Sequence, residues 1–130
     1  MKKAYFTFGS AHAHPSCVQP IIANDPREHM FKLHGDKWSH EYSPGQWLES
    51  CAWAKQRGIP VERELPLVIE GITSDKIEWL QRIGAIDITQ MIFMNPVMMW
   101  SYDYLVDHTV EELAEAYMKA LAQQRGGDLQ

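Results

Sequence analysis

His12-Ala13-His14 sets two imidazoles one residue apart, and Cys17 follows three residues later. On extended chain, residues two apart project to the same side, so both rings can reach one ion. His-x-His-x-x-Cys is a workable bite for a zinc-like metal, with a further ligand drawn from His40 or Glu41. Three protein ligands and a water would make a hydrolytic or nucleolytic centre with Glu41 as a candidate base; four would make a structural site. The alternative is a polar loop whose histidines bond to backbone groups and stay neutral at pH 7. Zinc is the one cofactor the pattern allows.

Other catalytic patterns are missing. The chain has no Gly-x-Ser-x-Gly, no Gly-x-x-x-x-Gly-Lys, no Gly-x-Gly-x-x-Gly and no His-Glu-x-x-His. Cys51 sits on the apolar stripe of a predicted helix, where thiols are inert. Cys17 lies near His14 in sequence, which by itself does not make a catalytic pair. The balance of residues therefore leans away from an enzyme and towards a binding protein.

A docking surface has its own candidates. Trp53 lies off the buried stripe of its helix, and Trp100 is a second aromatic available to anchor a contact. Asp103, Asp107, Glu111 and Glu115 recur every fourth residue, a pattern that could form a negative surface complementary to a basic groove. Net charge is −5, and it is uneven: residues 1–60 sum to +2, residues 61–130 to −7. That asymmetry favours a basic partner. It disfavours direct nucleic-acid binding, since the best basic patch (Arg27, Lys32, Lys37) is interrupted by Glu28 and Asp36. The plainer accounts are solubility for the net charge and, for Glu111 and Glu112, the helix dipole.

These residues need a scaffold, and the pattern predicts α+β in a single domain spanning residues 1–130. Residues 1–43 read as a β-β-α-β unit: strands at 3–8 and 18–23, a helix at 26–34 burying Met30 and Leu33, and an alternating strand at 38–42. Pro20 suggests an edge or irregular position in the second strand. The expected sheet is small, mixed or antiparallel, and covered by helices. Residues 44–130 read as helices with one or two further strands. A helix opens at Pro44 with Trp47, Cys51 and Ala54 on its core stripe. Residues 65–69 form extended chain or an edge strand, Ser74 caps a helix, 86–93 is one strand, and 96–106 is helical. A long C-terminal helix starts at a Thr109–Glu112 capping box and runs to Gly126-Gly127.

No apolar run reaches the roughly 20 residues a membrane helix needs. "MKKAYFTFG" does not read as a signal peptide, and two cysteines make no disulfide framework, so the expected compartment is cytoplasmic. The Met-rich segment 91–100 and an edge strand near Leu65 could support a homodimer.

"AYFTFGSAHAHP", followed by "MFKLHGDKWSHEY", resembles small bacteriophage and prophage proteins that open with Tyr-Phe-Thr-Phe-Gly, a His-x-His loop, a helix and a Trp/Phe-x-x-x-Tyr strand. The likeness covers about the first 45 residues. The group carries no activity to transfer. What it implies is context: an accessory protein in a bacterial host that binds and inhibits a host protein or complex, such as a CRISPR effector of host defence.

Overall fold

Alternation of Ala4, Phe6 and Phe8 with Lys3, Tyr5 and Thr7 gives the first strand two usable faces, and both are used. In the computed structural model, which describes residues 1–8, 17–60, 63–88 and 92–128, the chain is α+β and divides into two compact units, Met1–Glu70 and Gly71–Gln130.

In the first unit, β1 (Lys2–Phe8) lies between β2 (Cys17–Ala23) and β3 (Trp38–Tyr42), antiparallel to both. Two short parallel pieces, β4 (Arg63–Glu64) and β5 (Val68–Ile69), pair along the far side of β2. The sheet order is β3-β1-β2-β4. Ala4, Phe6, Ile21 and Ala23 form one face and pack on Met30 of α1 (Pro26–His34), with Trp38 edge-on to Phe6 at 5.1 Å. On the other face Trp47 of α2 (Pro44–Gln56) stacks on Tyr5 at 5.5 Å and leans on Tyr42 at 5.6 Å. Asp25 caps α1 through Glu28 N–H, and Ser43 and Gln46 form a reciprocal capping box on α2.

Two expectations for this unit need correction. β2 is a central strand rather than an edge, and Pro20 takes the irregular position that was the other alternative. Val18 and Ile22 direct their carbonyls to Leu65 and Glu70 N–H, so the intervening Pro20 turns its missing donor towards the break between β4 and β5. The Gln19 side chain bridges that break by donating to Pro66 O at 2.7 Å. Leu33 is exposed rather than buried, because α1 contributes only its Pro26–Met30 edge to the core.

The second unit comprises α3 (Ser74–Arg82), a three-stranded antiparallel meander β6 (Ile86–Ile88), β7 (Ile92–Met94) and β8 (Met99–Ser101), then α4 (Tyr102–Asp107) and α5 (Val110–Asp128). The expected single strand at 86–93 is thus parts of two strands, with Ile88 opposite Ile92. The expected helix at 96–106 begins only at Tyr102. Asn95 explains why: its Oδ1 accepts from Val97 and Met98 N–H, fixing a turn that returns the chain as β8. The N-cap of α3 is Thr73, one residue before Ser74. The Thr109–Glu112 box starts α5 as the sequence indicates, and the helix continues through Gly126-Gly127. Trp79, Trp100 and Tyr117 pack mutually at 5.7–6.0 Å and centre this core. None of the described helices is long and apolar enough to cross a membrane.

Candidate functional site

The described residues place only part of the histidine–cysteine constellation. His12 and His14 lie outside the described residues. Of the other two members, Cys17 is buried at the start of β2 and His40 is exposed on β3. Thr7 stands opposite both Val18 and His40, so those three side chains share a face, and Cys17, next along β2, is on the other. With β1 between them and the sheet intervening, one ion cannot take both Cys17 and His40. Glu41 also faces away from His40 and pairs with Arg27 at 3.5 Å, which removes it as a base beside that imidazole. Among the described residues no group of three His, Cys, Asp or Glu side chains could hold a metal.

The sheet end that carries Glu41 opens into a polar cleft of about 680 Å3, with Lys2, Lys3 and Arg27 on its walls. The N-termini of α1 and α2 both border it, yet Asp25 and Ser43 each already accept one first-turn N–H, and Asp25 and Glu41 offset two of the three cations. Anion binding therefore has little drive there.

The two candidate anchor tryptophans behave oppositely. Trp53 is 53% exposed on the outer face of α2, its ring covered in part by the Arg57 guanidinium at 4.2 Å, and Leu48 on that helix is 70% exposed. Trp100 is 1% exposed and packed against Trp79 and Tyr117. Its expected role as a surface anchor is overturned, because β8 turns it inward where an aromatic core was waiting.

Asp103 and Asp107 are both exposed on α4, and Glu111, Glu112 and Glu115 are exposed on the first turns of α5. An extended His108 separates the helices, so the five carboxylates follow two axes rather than one row. No Lys or Arg occurs from Ile83 to Met118. The described ion pairs, Arg27–Glu41, Lys32–Glu28 and Arg82–Glu78, involve none of these acids. Lys76 is buried, its Nζ donating to Leu105 O at 2.8 Å and Val106 O at 3.2 Å, where it caps α4. Glu112 differs from the other four acids in closing the start of α5, where the Thr109 N–H, then its hydroxyl, hold this carboxyl below its ordinary range. Residues 71–130 carry nine Asp/Glu against four Lys/Arg, so the second unit holds the whole net charge of −5; residues 1–70 carry eight of each.

Lys76 and Asn95 were invisible as organisers of this surface. A lysine on an amphipathic stretch reads as solvated, and Asn-Pro reads only as a turn. No protein-family model, curated protein or solved structure matches this chain.

Proposed function

We propose that this chain is a binding protein, not an enzyme, that docks on a partner protein with a basic surface through the carboxylates of α4 and the start of α5. The observation that carries this is the run of 36 residues, 83–118, with exposed acids at 103, 107, 111, 112 and 115 and no Lys or Arg within it. Such a surface raises encounter rates with cationic partners and repels nucleic acid. It suits an inhibitor of the phage type: machinery that holds nucleic acid has basic grooves, and an array of carboxylates competes for them. Trp53, half exposed beneath the Arg57 guanidinium, supplies a second contact in the first unit.

Affinity capture from bacterial lysate at low salt tests this reading. A specific host protein should co-purify with the native chain and be lost from the quadruple variant Asp103→Lys, Asp107→Lys, Glu111→Lys, Glu115→Lys. Retention of the same protein by that variant, with its fold intact by circular dichroism, would remove the acidic face from the function.

A further inference from the structure

We propose that a cleft in the second unit, beside the acidic face, receives the apolar side of a basic amphipathic helix belonging to the partner protein. This rests on the reading of α4 and α5 as the docking surface and adds the occupant's chemistry. The cleft measures about 370 Å3 and is lined by Ile92, Met98, Met99, Trp100, Ser101 and Tyr104, a volume suited to one or two large apolar side chains. Its lining is mostly apolar, and Met99 stands 62% exposed at its mouth. Methionine side chains are unbranched and polarisable, and they adapt to differently shaped apolar anchors.

Three features select the occupant. First, Asp103 lies between the cleft residues Ser101 and Tyr104, and Asp107 follows one helical turn later, both exposed. An apolar anchor flanked by cations therefore gains at both levels, whereas an anionic lipid or acidic peptide is repelled. Second, the walls are already ordered. Asn95 holds the Val97–Met98 turn, its Nδ2 donates to Ile83 O at 3.1 Å, and Tyr104 stacks on His108 at 3.9 Å. Little ordering cost remains for binding. Third, β8 is three residues long and runs directly into α4, so it gives an added strand too short a ladder. A helix, presenting anchors at i, i+3/i+4 and i+7 with Lys or Arg beside them, meets cleft and carboxylates together.

The probe is a fluorescein-labelled synthetic peptide of about 18 residues, five helical turns, with Leu and Phe on one face and Lys and Arg on the other. It is titrated against the full chain by fluorescence anisotropy. Saturable binding is expected, weakened about tenfold by Met99→Ser and also by Met99→Gln, exposed-site changes that leave thermal unfolding unaltered. Replacing the peptide's apolar anchors by Ala should weaken it comparably. Binding abolished by Asp103→Lys/Asp107→Lys but indifferent to both Met99 variants would overturn the cleft proposal and leave the acidic surface standing. Indifference to all variants, or no saturable binding, would overturn both. Two other occupants have their own signatures, each contradicting the proposal. A neutral apolar dye that binds in a Met99-dependent way and is not displaced by the peptide would point to a small ligand. Self-association lost in Met99→Ser, without peptide binding, would point to a second copy.

Discussion

In the first unit the tryptophans lie at the faces of a sheet: Trp38 meets Phe6 on the α1 side, Trp47 stacks on Tyr5 on the other. Trp53 is left outside with Leu48, and the charges cancel. In the second unit both tryptophans go inside, against each other and Tyr117, and the exposed residues include the acids of α4 and α5 and the methionines Met99 and Met118. The difference teaches that residue type does not tell which aromatic is a contact. What decides is whether the fold brings another large side chain to cover it. Trp100 met Trp79 and Tyr117; Trp53 met only the Arg57 guanidinium.

The comparison breaks most readily at its cores. Trp100→Ala should cost about 3–5 kcal/mol in urea unfolding, whereas Trp53→Ala should stay within about 0.5 kcal/mol. Equal losses would mean that the two tryptophans are not differently placed. Next in size, Lys76→Met leaves the carbonyls of Leu105 and Val106 without their donor and should destabilise by about 1–3 kcal/mol, read by the same titration.

Gly71→Ala should follow at about 1–2 kcal/mol, because its φ of 84° is strained for any Cβ and that carbon would meet the Tyr102 hydroxyl. A double-mutant cycle with Tyr102→Phe separates the two: relief by the second change assigns part of the cost to the phenol.

The smallest effect sharpens the contrast in surface charge. Asp75 is held below its ordinary range first by the Thr73 hydroxyl, and Glu112 first by the Thr109 N–H. Carboxyls lowered on folding contribute stability that is present above their unfolded pKa and lost as pH falls through the folded value. Acid unfolding of Glu112→Gln should therefore show a shallower dependence on pH below about 4.5 than the native chain. An unchanged profile would leave that carboxyl without a role in folding.

How far the sequence disclosed this arrangement depends on whether the signal was local. The helix opening at Pro44 and the box at Thr109–Glu112 are written within four residues each, and both are present. Pro20 left an edge and an irregular position both open because its neighbours across the sheet, β4 and β5, lie over 40 residues away and break where the proline needs them to. The run 86–93 hid parts of two strands because β-branched residues mark strand without marking where it turns. At the candidate sites, the acids at 103, 107, 111 and 115 are legible because exposed charge needs no partner. The cleft beside them is not, since it depends on Asn95 closing a turn and on Tyr104 reaching β8's side. Cys17 and His40 failed as co-ligands for a reason only register supplies: a shift of one residue exchanges the faces of a sheet.

The account turns on long-range attraction by the carboxylates of α4 and α5, and the salt dependence of association reports it most directly. With the captured partner immobilised and the purified full chain in solution, the association rate should fall steeply between low and physiological salt, where the screening length is about 8 Å. The Asp103→Lys, Asp107→Lys, Glu111→Lys, Glu115→Lys variant should associate slowly at every salt concentration. An association rate indifferent to salt, and equal in the native and reversed chains, would contradict the account.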